Sequence, residues 1–243
     1  LYCNIINEKI YSFSRLSDFE KKKFDELKQS RFQKYEDDFH DAADKFGIEW
    51  ELLAAVAFLL FIFVSPASQF RNEFLRDERN FSAAKITLFL VTAHTPQIIG
   101  VAIAAKLSDR KGRKPVAAIA VGLGSFFTVC AYSFSGFGMW AVAVLSGIIS
   151  AGAGPSLGVY GAEMFGTGKR GQINGFLSLI AVLGSAVGLL LCGYLSEGLG
   201  SFGKTFTILS ICPFIVVLII IFFFPESANQ ELEDLNPEDK AIT

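Results

Sequence analysis

Two polar residues stand one helical turn apart inside a long apolar stretch. His94 lies near the middle of residues 81–107, and Gln97 follows three positions later, on the same side of a helix. An ionisable side chain deep in a membrane-spanning helix indicates a functional site, because burying it in the bilayer is costly. Imidazole titrates near neutral pH, so His94 is a candidate for carrying a coupling proton and for contacting a solute. A neutral His94 that bonds to a neighbouring helix is an equally good interpretation.

The most specific string is a basic loop at residues 105–114, which reads AKLSDRKGRK. Gly112 permits backbone angles that other residues resist, so the string predicts a tight turn between two helices. Asp109 can face the N-terminus of a neighbouring helix, while Arg110 and Arg113 can pair with carboxylates or helix C-termini. Such a cluster can lock two helix bundles together on one membrane face. A simple positively charged anchor is the plainer alternative.

This string resembles the loop signature of the major facilitator superfamily, G-x-L-a-D-r-x-G-r-r, with Ala105 in place of the first glycine. Residues 147–171 are similar to the family's fourth or tenth helix, which ends in a glutamate and is followed by a loop arginine. Residues 225–233 resemble the end of the twelfth helix in sugar-porter-like members. The resemblance implies the C-terminal half, helices seven to twelve, of a twelve-helix transporter. An N-terminal half is the weaker placement, because a short acidic tail follows the last apolar stretch.

The resemblance also implies a cytoplasmic gate. Glu163 and Arg170 lie seven positions apart, so a continuing helix would place them on one face. In the family these charges meet the basic loop in the outward-open state and separate from it in the inward-open state. Glu163 as a solvated carboxylate at a helix end is the alternative. The expected gate residues are Asp109, Arg110, Gly112, Arg113, Glu163 and Arg170.

Small residues recur every four positions in two apolar stretches, which predicts close packing between helix backbones. One row is Gly154, Gly158 and Ala162, and the other is Gly184, Gly188 and Cys192. Residues 154–158 also match the G-x-S-x-G pattern of hydrolases. That chemistry needs a strand-to-helix turn and a histidine base in a matching context, so we reject hydrolysis here.

The elements that must position these residues are six apolar stretches, each long enough for a helix to cross a bilayer. None alternates as a barrel strand does, and the connections between them are short, which favours an antiparallel helical bundle. We therefore predict an all-α polytopic membrane protein with a six-transmembrane-helix bundle. The stretches cover about residues 50–69, 81–107, 115–134, 137–165, 173–195 and 205–224.

Composition excludes other classes. The chain has 243 residues, of which 51% are hydrophobic and 19% are charged, against about 25% charged in a typical soluble domain. A net charge of −2 gives a nucleic-acid partner no electrostatic support. The four cysteines form no metal-ligand or disulfide pattern, and no nucleotide-binding loop occurs. We expect no cofactor, no metal and no enzymatic activity.

Charge divides the chain into three parts. Residues 1–48 form a charged, amphipathic cytoplasmic region, residues 49–225 form the membrane bundle, and residues 226–243 form an acidic cytoplasmic tail. Lysines and arginines cluster in the basic loop, which the positive-inside rule places in the cytoplasm. Six crossings then leave both ends of the segment cytoplasmic, and we expect the plasma membrane. Because the chain begins with Leu1, we expect more sequence upstream.

The function that these observations favour is secondary active transport of a small solute by alternating access, driven by a solute or proton gradient. His94, Gln97 and Asn174 are the expected substrate or coupling residues, since transporter sites lie near the membrane midplane. The expected partners are the solute, the lipid bilayer and an N-terminal six-helix half. The alternatives are a drug or metabolite efflux antiporter, and a non-transporting membrane sensor on the same fold.

Overall fold

A computed structural model describes residues 50–163 and 170–224, with the side chains of 50, 159–163, 170 and 172 outside that description. All regular structure in the described part is helical, and six segments are long and apolar enough to cross a membrane, which confirms the predicted fold class. The terminal regions predicted at 1–48 and 226–243 lie outside the described residues. Spans 1 to 6 are Glu51–Glu78, Ala83–Lys111, Arg113–Ser133, Gly136–Gly158, Ile173–Leu199 and Phe202–Phe223.

Prolines divide several of these spans into shorter helices. Because proline has no N–H, it leaves a carbonyl of the preceding turn without its helical partner. Span 2 is interrupted just before Gln97, at Pro96, and spans 4 and 6 are interrupted shortly before Pro155 and Pro213. The α-helices are Trp50–Gln69, Arg71–Glu73, Ala83–His94, Gln97–Lys111, Arg113–Ser133, Gly136–Ser150, Ala153–Glu163, Arg170–Leu199, Phe202–Leu209 and Ile211–Phe223, with a π-helix at Phe74–Glu78.

Span 1 extends beyond its predicted end at Gln69. The N–H of Phe70 donates to the carbonyl of Pro66 at 2.9 Å, and the N–H of Phe74 donates to that of Phe70 at 2.9 Å. The chain therefore continues to turn, and it buries the side chain of Phe74 against the bundle. As a consequence Arg71 belongs to the span, although the sequence placed it in a loop.

Two sets of turns mark the ends of the bundle. At one end Gly112 joins spans 2 and 3 with φ 105°, a conformation that favours glycine, as predicted. We call this the Gly112 end. At the other end Asn80, Ser135 and Gly200 lie in the connections between spans 1 and 2, 3 and 4, and 5 and 6. We call this the Asn80 end.

One of the two predicted rows of small residues packs closely. A Cβ atom on Gly184 would lie 2.5 Å from the carbonyl oxygen of Phe58, and one on Gly188 would overlap the carbonyl of Ile62. Spans 1 and 5 therefore touch backbone to backbone, as the sequence predicted. For Gly154 and Gly158 the described residues show no such packing, because none of their atoms from another segment comes within 4 Å of either position. These two glycines line a cavity instead.

Candidate functional site

A cavity of about 600 Å³ lies within the bundle, a volume typical of small-molecule sites. Spans 1 to 5 contribute to its wall, and most of the lining is apolar. A few polar side chains interrupt this apolar surface and can orient a bound molecule. They are Ser68, Arg71, Gln97, Ser125, Thr128, Tyr132, Ser146, Ser150 and Asn174.

A chain of three side chains links span 1 to span 2 beside this cavity. Nη1 of Arg71 lies 2.7 Å from Nε2 of His94, and the side-chain amide of Gln97 lies 2.7 Å from Nδ1 of His94. Arg71 and Gln97 are half-buried and line the cavity, while His94 stands behind them with an exposed side chain. The two residues that the sequence singled out therefore meet, and an arginine joins them.

The hydrogen bonds fix which atom of His94 carries the proton. A guanidinium only donates, so Nε2 of His94 accepts from Arg71 and the ring proton of a neutral imidazole resides on Nδ1. Nε2 of Gln97 is the amide atom that lies 2.7 Å from Nδ1, so Nδ1–H can donate to Gln97 only once the amide is flipped to present its oxygen; amide oxygen and nitrogen are assigned from such networks. His94 thereby aligns Arg71 with Gln97.

Local structure explains how Gln97 reaches its place. The break at Pro96 ends one helix at His94 and starts the next at Gln97, so both side chains lie at the interruption. Gly147 of span 4 faces this point, where an added Cβ would lie 3.0 Å from Cγ of Gln97. The glycine therefore allows span 4 to close the cavity around the amide.

A second polar patch comes from spans 3 and 4. Oγ1 of Thr128 donates to the carbonyl of Gly124 at 2.8 Å and lies 2.7 Å from Oγ of Ser146. Oγ of Ser150 donates to the carbonyl of Ser146 at 2.6 Å. The hydroxyl groups are held by these bonds, and they give an otherwise apolar wall fixed hydrogen-bonding groups.

Tyr132 makes the Asn80 end of the cavity rigid. Its hydroxyl donates to the carbonyl of Ala67 at 2.6 Å, and its side chain is only 3% exposed. The ring packs against Phe206 with centroids 4.1 Å apart and against Phe74 with centroids 4.7 Å apart. Spans 1, 3 and 6 are thus joined directly behind Arg71.

Asn174, the third predicted solute contact, lies on the same cavity from span 5. Its side chain is exposed, and its backbone carbonyl accepts a hydrogen bond from Ser178 at 2.6 Å. The structure therefore places all three predicted polar residues at or beside one cavity. It brings only His94 and Gln97 into direct contact.

The predicted gate residues lie at the Gly112 end. Asp109 and Arg110 are exposed in the last turn before Gly112, and within the described residues neither forms an ion pair. Arg113 begins span 3 directly after the turn. Glu163 and Arg170 are helix-terminal residues whose side chains lie outside the described part of the chain, so the gate pairing stays a prediction.

The hydrolase-like pattern around Ser156 has a structural explanation. It lies inside the helix Ala153–Glu163, where the Ser156 side chain is fully buried. Oγ of Ser156 donates to the carbonyl of Gly152 at 2.8 Å, as serines commonly do within helices. A buried helical serine in this position does not fit the strand-to-helix turn that a hydrolase nucleophile requires, so the structure agrees with the sequence analysis, which rejected hydrolysis.

Sequence reasoning missed Arg71 and the hydroxyl patch. Arg71 follows the apolar stretch 50–69, in the segment that the sequence predicted as a connection between helices. The signal was the apolar Phe74 and Leu75 beyond it, which continue the buried face of the same helix and are both buried. The Thr128–Ser146 contact joins residues 18 positions apart on two helices, which no local pattern reveals.

Comparison with known proteins identifies the family. The family described as Major Facilitator Superfamily matches residues 46–241. Glycerophosphoinositol transporter 1 of Saccharomyces cerevisiae is 32% identical over 144 residues, which cover 56% of this chain and 27% of that protein. The chain therefore matches only part of the length of this relative.

Solved structures show the same fold. The proton:xylose symporter XylE bound to 6-bromo-6-deoxy-D-glucose has a TM-score of 0.59 and 18% identity, covering 73% of this chain and 44% of that one. The inward-open xylose transporter XylE from E. coli has a TM-score of 0.60 and 19% identity, covering 79% and 52%. The chain spans about half the length of these structures.

The family and these relatives are transporters, not enzymes. With six membrane-capable helices and a family match over most of its length, this integral membrane protein belongs to the Major Facilitator Superfamily.

Proposed function

We propose that this chain is the second half, helices seven to twelve, of a secondary active transporter that moves a small polar solute by alternating access. The observation that carries this proposal is the Arg71–His94–Gln97 chain beside a cavity of about 600 Å³. Polar groups that converge on an apolar cavity are typical of a solute site. The relatives include transporters of glycerophosphoinositol and of xylose, which supports a polar metabolite as the solute.

The position of the site supports the proposed mechanism. Broken helices commonly line transporter sites, and one half of the molecule then rocks against the other around the bound solute. Here the break at Pro96 lies directly beside Gln97. The glycine contacts of spans 1 and 5 hold their backbones together, so they favour motion of this half as one body. In this proposal an N-terminal six-helix half completes the solute pathway, and Gln97 and Asn174 contact the solute.

Proton coupling through His94 is part of the proposal. The lone pair of Nε2 accepts from Arg71, and a second proton on the ring would occupy that same lone pair. Protonation of His94 and its bond to Arg71 therefore exclude each other. A proton that arrives at His94 would release Arg71 into the cavity, which links proton binding to solute binding.

The proposal also covers the gate and the orientation. Asp109, Arg110 and Arg113 lie at the Gly112 end with the ends of the helices that carry Glu163 and Arg170. We assign these residues, with the Gly112 turn, to a gate on the cytoplasmic face. The cluster of basic residues at this end supports a cytoplasmic position for both ends of the segment. We place the transporter in the plasma membrane.

The experiment is reconstitution of the full-length transporter into liposomes, followed by counterflow of labelled polar metabolites. We expect saturable exchange that the substitution Gln97→Leu reduces strongly. The matched control is Thr87→Val, because Thr87 lies on the same span, is exposed and bonds only within its own helix in the described structure. Accumulation only under an outward-directed proton gradient would instead support an efflux antiporter. Absence of flux for every solute, with correctly folded protein, would support the sensor alternative and overturn the proposal.

A further inference from the structure

Among the described residues that line the cavity, Arg71 is the only charged one. Its guanidinium contacts a neutral imidazole, and within the described structure no carboxylate forms an ion pair with it. Of the carboxylates that follow Arg71, Asp77 lies 2.8 Å from Arg76 and Glu78 accepts from the backbone of Phe202, while Glu73 is exposed and forms no ion pair with Arg71 among the described residues. A positive charge at an apolar wall thus has no counter-charge from this part of the chain.

We propose that the solute is an anion, with a carboxylate or phosphoryl group that Arg71 binds. This inference rests on the proposed transport function and names the class of its solute. A charge in an apolar environment is costly unless it is paired, and an oxyanion supplies the missing pair. Arginine is suited to this role, because its planar fork of N–H groups binds carboxylate and phosphate through two parallel hydrogen bonds.

The geometry leaves Arg71 able to bind. A guanidinium has five N–H donors; the contact with His94 uses Nη1, and the hydroxyl of Tyr132 also lies within hydrogen-bonding reach of the guanidinium. With both contacts made, further N–H groups remain for an anion on a half-buried side chain at the cavity wall. His94 is a positioning residue in this assignment, because it holds one edge of the guanidinium while the other edge binds the anion.

The rest of the cavity suits a polar body attached to the anionic group. Gln97 offers an amide beside Arg71, and Thr128 and Ser146 offer hydroxyl groups on the wall built by spans 3 and 4. None of these groups carries a charge, so they can bind hydroxyl groups of the solute without favouring a second ionic site. The expected solute is therefore a small hydroxylated compound with one oxyanion group.

Binding to the purified full-length protein tests this inference directly. Thermal unfolding midpoints are measured against concentration for two matched series at constant ionic strength: glucose 6-phosphate, gluconate and glucose, then glycerol 3-phosphate, glycerate and glycerol. A ligand that binds the folded state raises the midpoint in proportion to its occupancy. We expect at least one anion to stabilise the protein saturably, with an apparent Kd at least about tenfold below that of its neutral counterpart.

Substitutions of Arg71 test whether this residue causes the preference for anions. Arg71→Gln should raise the Kd of the anion about tenfold or more, because it removes a charge-assisted hydrogen bond. Arg71→Lys keeps the positive charge and should keep part of the preference for anions. This variant shows whether the effect of Arg71→Gln comes from the lost charge rather than from a folding defect. Arg76→Gln removes the same charge from an exposed residue outside the cavity and should leave the Kd unchanged.

The outcomes are distinct. Equal stabilisation by neutral and anionic members of both series, or unchanged anion binding in folded Arg71→Gln protein, would overturn the inference. Counterflow in liposomes distinguishes failure of the anion-site inference from failure of the proposed transport function. Anions that bind through Arg71 without being transported would support the site and refute transport, whereas transport of a neutral solute that is unaffected by Arg71→Gln would refute the anion site and support transport.

Discussion

The carboxylate of Glu78 accepts a hydrogen bond from the backbone N–H of Phe202 at 2.6 Å, across 124 positions of the sequence. Phe202 is the first residue of the helix Phe202–Leu209, so its N–H has no partner within the helix. A negative charge at this place also interacts favourably with the helix dipole. Glu78 therefore fixes the start of span 6 to the end of span 1.

Arg79 extends this contact to span 3. Its Nη2 donates to the carbonyls of Tyr132 and Phe134, at 3.2 and 3.0 Å, and its guanidinium lies 4.7 Å from the ring centroid of Phe74. Two adjacent residues thus hold together three of the connections at the Asn80 end. We call this pair the Glu78–Arg79 clamp. It keeps one end of the bundle closed behind Arg71.

The first prediction is that Glu78→Ala destabilises the protein, because the N–H of Phe202 loses its charged acceptor. We expect a loss of about 1–3 kcal/mol, seen as a lower midpoint in thermal unfolding of the purified protein in detergent. Asp77→Ala is the control, since Asp77 is exposed and pairs only with the adjacent Arg76 in the described structure. A loss as large for Asp77→Ala as for Glu78→Ala would refute the clamp.

The second prediction concerns the contact between Gly188 and Ile62. Pro66 has no N–H, so the carbonyl of Ile62 lacks its helical partner and faces span 5, where only a glycine fits. Gly188→Ala should cost about 1–3 kcal/mol, because the added methyl forces spans 1 and 5 apart. Gly193→Ala, on the same helix with open space around it, should change the unfolding midpoint little. Similar losses for both variants would contradict this packing.

The sequence predicted much of this fold because the bilayer imposes a minimum helix length. All six spans were recognisable as apolar stretches, and the turn at Gly112 followed from the backbone freedom of glycine. His94 and Gln97 were also expected on one side of a helix, and they do meet, although the break at Pro96 lies between them. These features depend only on neighbours along the chain.

Other features depend on contacts between spans, and the sequence could not reveal them. Gly154 and Gly184 occur in similar rows of small residues, yet within the described residues Gly184 packs against another backbone and Gly154 does not. Arg71 was missed for the same reason, since its position beside His94 requires span 1 to continue past Gln69 into the helix Arg71–Glu73.

The third prediction concerns orientation. A cysteine at Lys111, which is exposed at the Gly112 end, should react with a membrane-impermeant thiol reagent only from the cytoplasmic side. A cysteine at Ser135, exposed at the Asn80 end, should react only from outside. Ser135 makes no capping hydrogen bond, so its replacement loses none. The full-length protein without an introduced cysteine gives the background, and the opposite pattern of labelling would invert the proposed topology.

The fourth prediction concerns the gate. Asp109 lies in the last turn of the helix Gln97–Lys111, where a carboxylate opposes the helix dipole. Asp109→Asn should therefore leave the unfolding midpoint unchanged or raise it slightly, while counterflow by the full-length transporter becomes slower. Lys106→Gln, an exposed charge change one turn earlier, is the control and should transport normally. Normal flux in the Asp109→Asn protein would contradict the gate and would support the alternative that the basic loop is only a positively charged membrane anchor.

The last prediction separates the roles of His94. Glutamine at this position can accept from Arg71 through its amide oxygen and donate to Gln97 through its nitrogen, so His94→Gln keeps the hydrogen-bonded chain but removes titration. If His94 carries the coupling proton, exchange across liposomes survives and accumulation driven by a proton gradient is lost.

Two other results have different meanings. If His94 only positions Arg71 for the solute, His94→Gln keeps both activities because it keeps the bond, whereas His94→Leu, which removes the bond, weakens exchange and accumulation together, and more solute overcomes that loss. If His94 is a packing residue, both activities stay near those of the parent protein in either variant. The matched control is Thr92→Val, because Thr92 is exposed on the same helix and bonds only to its own backbone within the described residues. Accumulation by His94→Gln at the parental rate from pH 5 to 8 would remove His94 from the coupling mechanism, since the variant has no imidazole to titrate over that range.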